Sequence, residues 1–219
     1  MHIDAWFATP IYNGEIVPTK EQKNKIERYF YKYTQENGDK IFIGNSLNIT
    51  GDVTGQHQIS ELEEFEWINE HLYGHIDNYL RAIGVNTSKY KFYIQKSWPV
   101  ICDEGGGVAP HAHMNSHLSA VFYIRCGPDN GGDIIFTSSP DHPLNVLPVH
   151  IPNTNVKYTP TENQLLIFPS SLRHKVTEFY GKDFRFSISY DIMITTHINI
   201  NSDSESDVSN PDLWVSLGD

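Results

Sequence analysis

Cysteine, basic residues and long apolar runs are all scarce in this sequence. Two cysteines in 219 residues, Cys102 and Cys126, are too few for a disulfide framework, and we expect both to be buried free thiols. The 16 Lys and Arg residues are outnumbered by 27 Asp and Glu and form no cluster, so no basic surface for a nucleic-acid backbone is indicated. No apolar run reaches membrane-spanning length, and the first residues lack the pattern of a secretion signal. We therefore expect a cytoplasmic protein that acts on a small molecule or peptide.

The second half of the sequence is dominated by short apolar segments separated by Gly, Pro, Asn and Asp. Aromatic residues, which favour strands, make up 12% of the chain. The pattern predicts strands at 90–100, 118–125, 133–137, 165–168, 174–179 and 184–194. Because no helical segment lies between them, the mainly β arrangement favours an antiparallel sandwich or a jelly roll.

Two amphipathic helices are predicted before these strands. The first follows a capping box formed by Thr19 and Gln22 and ends near Gly38. The second follows a similar pair, Ser60 and Glu63, and ends near Gly84. Their apolar residues recur at helical spacing: Ile26, Tyr29, Phe30 and Tyr33 in the first, and Phe65, Ile68, Leu72, Ile76, Tyr79, Leu80 and Ile83 in the second. We expect the two helices to buttress one face of the sheet.

The two ends of the chain carry weaker signals. Residues 5–12 predict a strand, which Pro10 restricts to a sheet edge, and Asn13-Gly14 predicts a turn after it. A long loop is expected at 138–161, where it could shape the entrance to a site. Residues 198–219 are rich in Ser, Asp and Asn, which is typical of a flexible acidic tail. One domain over residues 1–197 is therefore expected.

A possible metal site begins with His111 and His113, which lie two residues apart before a predicted strand. On an extended backbone both imidazoles project from the same face, where they could chelate a divalent ion. Such a site needs at least one further ligand. His174, at the start of another predicted strand, is the best candidate.

The last predicted strand has one polar and one apolar face. Arg185, Ser187, Ser189 and Asp191 alternate with Phe184, Phe186, Ile188 and Tyr190. If the polar face pointed into a barrel, the arginine would need an anion, because an unpaired buried charge is very unfavourable. A carboxylate matches the geometry of a guanidinium group.

Several segments together resemble a family of iron(II)- and 2-oxoglutarate-dependent oxygenases found in bacteria and their phages. The segments are Trp-Pro-Val-Ile (98–101), His-Ala-His-Met-Asn-Ser-His and the following strand (111–123), Gly-Asp-Ile-Ile-Phe (132–136), Leu-Ile-Phe-Pro-Ser-Ser-Leu-Arg-His-Lys-Val (166–176) and Arg-Phe-Ser-Ile-Ser-Tyr (185–190). The opening Trp-Phe-Ala-Thr-Pro-Ile-Tyr (6–12) is similar to the start of that family. The resemblance implies a double-stranded β-helix, a form of jelly roll, and Fe(II), 2-oxoglutarate and O₂ as cofactors of a dioxygenase, most simply a hydroxylase.

The same resemblance implies a role for individual residues. His111 would be the first metal ligand and His174 the distal one, while Arg185 would bind the distal carboxylate of 2-oxoglutarate, with Ser187 and Tyr123 as further hydrogen-bond donors. The sequence departs from the superfamily pattern at His113, where Asp or Glu usually stands. Either His113 is a metal ligand in its place, which changes the charge of the site, or it lies behind the ligands and water fills the position.

Two other interpretations remain open from the sequence. A cupin-type enzyme would hold its metal with His111, His113, His117 and His174, and would leave Arg185 without a role. A non-catalytic jelly roll that binds a sugar or protein would use the same histidines structurally. His71 and His75 lie four residues apart on the second helix but are interpreted as solvated or capping residues, since no catalytic acid lies between them.

Overall fold

The computed structural model describes residues 8–38, 42–43, 46–51, 55–127, 130–138, 155–196 and 215. Two α-helices and eleven strands lie in these segments. In chain order they are β1 (Tyr12–Glu15), α1 (Lys20–Asn37), β2 (Phe42–Ile43), β3 (Ser46–Thr50), α2 (Glu66–Ala82), β4 (Tyr90–Cys102), β5 (Val108–His111), β6 (Leu118–Arg125), β7 (Ile134–Thr137), β8 (Asn155–Tyr158), β9 (Gln164–Pro169), β10 (His174–Val176) and β11 (Arg185–Thr196).

The strands form two antiparallel sheets. The larger sheet has the order β1-β9-β6-β11-β4-β3-β2, and the smaller has the order β5-β10-β7-β8. Chain-distant strands are neighbours in both, which is the topology of the predicted double-stranded β-helix. Strand β11 occupies the centre of the larger sheet, where it pairs with β4 on one side and β6 on the other.

The main apolar core lies on the outer face of the larger sheet. Both helices pack there, as the sequence predicts, and the ring of Phe30 on α1 lies 4.9 Å from that of Phe186 on β11. Ile188 and Ile192 are fully buried in the same cluster, together with Leu72 of α2. Successive side chains of a strand point to opposite faces. The alternate residues of β11 therefore face the smaller sheet: Arg185, Ser187, Ser189 and Asp191.

A smaller apolar cluster lies between the two sheets. It includes Val121 and Tyr123 of β6, Leu166 and Phe168 of β9, and Ile134 and Phe136 of β7. The cluster does not fill the space along β11, where polar side chains point inward. A cavity therefore remains between the sheets.

The six strands predicted in the second half of the chain are all confirmed, with ends shifted by three residues or fewer. The expected loop at 138–161 is partly wrong, because residues 155–158 form β8, which pairs with β7. Three of the four β8 side chains are exposed, so the sequence there has no apolar alternation. Residues 139–154 of this loop lie outside the described residues.

The turn predicted at Asn13-Gly14 is wrong. Both residues lie inside β1, paired with Leu166 and Leu165 of β9, and β1 is an edge strand as Pro10 suggested. Close packing, rather than a turn, explains the glycine at position 14. A Cβ atom there would lie 2.6 Å from the Tyr12 ring and 3.0 Å from His75 Nδ1. Of the strand predicted at residues 5–12, only Tyr12 lies in β1: residues 8–11 form no strand, and residues 5–7 lie outside the described residues.

The two helix starts differ. Thr19 and Gln22 form the predicted capping box, with reciprocal side-chain to backbone hydrogen bonds. The second box is wrong: the Ser60 hydroxyl donates to Gln58 Oε1, and α2 begins only at Glu66. Ser60 lies instead in a short 3₁₀ turn, Ile59–Glu61, that hydrogen-bonds to Ser97 of β4.

Three further predictions concern the whole chain. Both cysteines are buried and form no disulfide, as expected. None of the helices in the described segments is long and apolar enough to cross a membrane. The predicted acidic tail lies outside the described residues apart from the exposed Val215, so its flexibility and the domain boundary at residue 197 stay predictions.

Candidate active site

A cavity of about 310 Å³ lies between the two sheets. All of the predicted site residues line it: His111, His113, Tyr123, His174, Arg185 and Ser187. The imidazoles and the guanidinium group, which come from three separate stretches of the sequence, are therefore brought to one place by the fold.

Three imidazoles in the cavity form a cluster with the dimensions of a metal site. One ring nitrogen from each of His111, His113 and His174 lies within 4.8 Å of the others. His111 ends β5 and His174 begins β10, and the two residues are direct partners in the antiparallel ladder. His113 lies beyond the end of β5, where its backbone N–H donates to the Ser170 carbonyl at 2.9 Å. The predicted convergence is confirmed, although His113 itself is in a loop rather than a strand.

Hydrogen bonds set the tautomer of each histidine. The Nδ1 atoms of His111 and His174 each lie 2.9 Å from a backbone carbonyl oxygen, of Ala109 and Leu172 respectively. His113 Nδ1 lies 2.9 Å from the carboxylate of Asp191. Because these oxygens can only accept, each Nδ1 carries the proton and each Nε2 carries the lone pair that a metal needs.

Burial keeps His174 neutral. Its side chain lies against the rings of Phe136 and Phe168, and only 5% of the residue is exposed. This burial lowers the pKa of His174 to about 4. A neutral imidazole is the form that binds a metal, so His174 is ready to act as a ligand at neutral pH.

Arg185 is a buried cation, and no carboxylate among the described residues pairs with it. Only 1% of it is exposed, and its Nε has no hydrogen-bond partner among the described residues. Its guanidinium lies 3.9 Å from the Cys102 sulfur and 5.0 Å from the centre of the Tyr123 ring. Burial raises the pKa of Cys102, so this thiol is neutral as well. A buried unpaired charge is strongly unfavourable, so the site calls for an anionic ligand.

Two hydroxyl groups lie beside Arg185. Ser187 and Tyr123 are direct partners across β11 and β6, and both are almost completely buried. The Tyr123 hydroxyl has no hydrogen-bond partner in the described part of the chain. Burial raises its pKa to about 12, so the phenol keeps its proton and can donate to a carboxylate. The residues that the sequence singled out around Arg185 thus fit one end of a dicarboxylate such as 2-oxoglutarate.

Gly132 makes room for the arginine. Its φ is +69°, in the region that other residues rarely adopt, and a Cβ atom there would lie 3.0 Å from Arg185 Cδ. A side chain at this position would therefore strain the backbone and displace Arg185.

The histidines outside the cluster have other partners. His117 Nδ1 accepts the backbone N–H of Ile194 at 2.9 Å, and His117 is not part of the metal-like cluster. The four-histidine set of the cupin interpretation is therefore wrong. His75 Nδ1 lies 2.8 Å from the Tyr12 hydroxyl, and His71 packs edge-on against Trp67, so neither caps the helix or faces a metal.

Sequence reasoning missed the partner of His113. Asp191 was placed on the polar face of its strand by alternation, but its contact with His113 depends on where the loop after β5 crosses β11. Ser116, Ser119 and Ser170, which contact each other or Asp191, were likewise not singled out.

Comparison with known proteins identifies the family. Residues 96–191 match the model of the family described as "Putative 2OG-Fe(II) oxygenase". The match contains all three clustered histidines, Tyr123, Arg185 and Ser187. Similarity to this family implies Fe(II), 2-oxoglutarate and O₂ as cofactors of an oxidoreductase. No curated protein sequence matches the chain.

Solved structures of 2-oxoglutarate oxygenases share the fold. A prolyl-4-hydroxylase of Pseudomonas putida is 12% identical, with a TM-score of 0.54 over 84% of this chain and 92% of that one. A Trichoplax adhaerens prolyl hydroxylase in complex with a hypoxia-inducible factor peptide is 14% identical, with a TM-score of 0.54 over 84% of this chain and 83% of that one. HygX of Streptomyces hygroscopicus, solved with nickel and 2-oxoglutarate, is 9% identical, with a TM-score of 0.52 over 84% and 82%. At these identities the likeness establishes the jelly-roll fold of this family of oxygenases.

Proposed function

We propose that this 2-oxoglutarate-dependent oxygenase holds iron(II) with His111, His113 and His174 and binds 2-oxoglutarate through Arg185. The observation that carries the proposal is the buried, unpaired guanidinium of Arg185 in the same cavity as three imidazoles with matching tautomers. A metal alone would leave Arg185 without an anion. A carboxylate alone would leave the three imidazoles without a reason to converge.

His111, His113 and His174 would hold the metal through their Nε2 atoms. Iron(II) held there together with 2-oxoglutarate would supply the activation of O₂. In the balanced reaction one oxygen atom enters a substrate C–H bond and the other enters succinate, as 2-oxoglutarate loses CO₂. Hydroxylation is the outcome that we propose here.

The protein side chains orient the cosubstrate and shield the site from water. Arg185 offers a bidentate contact to the distal carboxylate, and the Tyr123 and Ser187 hydroxyls can donate to the same group. The apolar side chains of Val121, Ile134 and Phe168 line the cavity and exclude solvent.

We propose a peptide or small-molecule substrate that enters beside Trp98. This side chain lines the cavity, and its ring centre lies 5.7 Å from that of His113. The indole is only 4% exposed, so it forms an apolar wall of the cavity next to the metal site. The prolyl hydroxylase complex among the structural relatives shows that the fold can admit a peptide.

The proposal can be tested without knowing the substrate. Anaerobic protein loaded with Fe(II) and 2-oxoglutarate is expected to show a metal-to-ligand absorption band. The band should be absent in His174→Ala and retained in His57→Ala, because His57 is exposed and lies outside the cluster. A wild-type protein that binds one metal ion but gives no band with 2-oxoglutarate would contradict the proposal.

A further inference from the structure

Asp191 lies directly behind one of the three clustered histidines. Its Oδ1 is 2.9 Å from His113 Nδ1, and the two side chains are only 13% and 15% exposed. Lys96, the partner of Asp191 across the ladder on β4, places its ammonium over the Trp98 ring.

The surrounding hydroxyl groups hold this carboxylate in place. Ser116 and Ser119 donate to the same Oδ1 atom at 3.3 and 3.2 Å. The Ser170 hydroxyl, which is completely buried, lies 2.8 Å from Ser116 Oγ and 3.0 Å from Ser119 Oγ. With His113, three hydrogen-bond donors converge on one oxygen of the carboxylate.

The charges of the site explain why a carboxylate is needed there. Three neutral imidazoles leave the full double charge on a bound divalent metal, whereas a site with a carboxylate ligand would carry one charge less. Iron(II) and Arg185 together bring three positive charges, and 2-oxoglutarate brings two negative charges. One further negative charge balances the cavity, and Asp191 supplies it one imidazole ring away from the metal position.

We propose that Asp191 is the anion of this metal site, acting through His113 as a positioning residue. Its contact fixes the His113 ring and tautomer, and its charge makes Nε2 a stronger donor to the metal. The acidic group that the His-x-His segment lacks among the ligands is thus present behind them. This inference rests on the proposed function, because it takes His113 to be a metal ligand.

The substitution Asp191→Asn distinguishes this role from a purely structural role of Asp191. Asp191 and the serines also join the loop after β5 to β11, so removing the whole side chain would disturb both roles. Asp191→Asn keeps the shape, and the amide oxygen can still accept from His113, but the negative charge is lost. If Asp191 only joins the loop to the strand, metal binding should survive this change.

The test is the dissociation constant of Mn(II) for the full-length protein, measured by calorimetry with and without 2-oxoglutarate. We expect Asp191→Asn to weaken Mn(II) binding by about 10- to 100-fold, the range found when a partner of a metal ligand is lost. The Fe(II)–2-oxoglutarate absorption band should also move to shorter wavelength, because a weaker donor makes the iron harder to oxidise. Asp77→Asn, which removes the same charge from the outer surface of α2, should match the wild type.

A second variant serves as a control in case Asp191→Asn does not fold. Ser116→Ala leaves the carboxylate in place but removes one of its three donors, so it should weaken Mn(II) binding in the same direction by a smaller factor. A contrary result would be that wild type and both variants bind Mn(II) with the same dissociation constant, with no shift of the absorption band. That result would show that Asp191 does not act on the metal, and it would leave the proposed function unaffected. If wild type binds no metal, the proposed function itself fails.

Discussion

Arg185 allows cosubstrate binding to be separated from metal binding by one substitution. In Arg185→Met the side chain keeps a similar length but loses its charge and its hydrogen bonds. We expect 2-oxoglutarate to bind at least about 10-fold more weakly, since a hydrogen-bonded charge is worth about 1.5–3 kcal/mol. Mn(II) affinity without 2-oxoglutarate should not change. Calorimetric titration of both ligands checks this, with the exposed Arg28→Met as control.

His174 should make the metal-free protein sensitive to acid. Burial lowers its pKa to about 4, whereas in the unfolded chain an imidazole titrates at about 6.5. The unfolded state therefore binds more protons between these values, and the stability due to neutral His174 is fully present above about pH 6.5 and is lost as the pH falls towards 4. The loss should reach about 2 kcal/mol between pH 7 and pH 5.

Urea unfolding of the metal-free protein at both pH values measures this loss. The variant His174→Gln should show a smaller decrease in the free energy of unfolding than wild type, because it lacks the buried imidazole whose pKa is lowered. Equal decreases would show that His174 is not the group responsible.

At the scale of elements, helix α1 is expected to support the fold without touching the site. Phe30 is fully buried against Phe186, on the outer face of β11. Phe30→Ala should lower the free energy of unfolding by about 3–5 kcal/mol, as is usual for a buried aromatic side chain. Urea denaturation measures it, and Lys32→Ala on the exposed side of the same helix is the control. Mn(II) affinity of the folded variant should equal that of wild type.

Elements with a long apolar pattern could be predicted from the sequence, and short edge elements could not. Both helices and the six later strands follow from spacing alone, because each buries one continuous face. Strand β8 exposes most of its side chains, and the four residues of β1 include Asn13 and Gly14, which alone resemble a turn. Such segments become strands only because a neighbouring strand offers backbone partners.

The residues of the candidate site likewise differ in how well the sequence predicts them. The candidate ligands His111, His113 and His174, and also Arg185, were identifiable because each lies in a segment that resembles the oxygenase family. The partnership of His113 with Asp191 joins residues far apart in the chain, and it depends on the register of β11 and the path of a loop. No local pattern specifies such a contact.

At the scale of the whole molecule, the two sheets hold different parts of the site. His111 and His174 belong to the smaller sheet, and Arg185 belongs to the larger one. A metal ion with bound 2-oxoglutarate would connect them, so the two ligands together should stabilise the protein more than the metal alone. At 100 times its dissociation constant a ligand adds about 2.7 kcal/mol.

Thermal unfolding with Ni(II), and with Ni(II) plus 2-oxoglutarate, measures this effect. Each addition should raise the Tm of wild type, whereas in Arg185→Met the second addition should raise it far less. A second increment as large as in wild type would show that Arg185 does not hold the cosubstrate.

The unpaired guanidinium also has a consequence for the ligand-free chain. Folding without ligands removes Arg185 from water and gives it no anion in return, so an apolar side chain of similar volume should suit the empty fold better. The ligand-free Arg185→Met protein is therefore expected to unfold at a higher urea concentration than wild type, although it binds 2-oxoglutarate poorly. A higher midpoint for the variant would show that Arg185 destabilises the empty fold, which is the cost expected of a side chain kept for an anionic ligand.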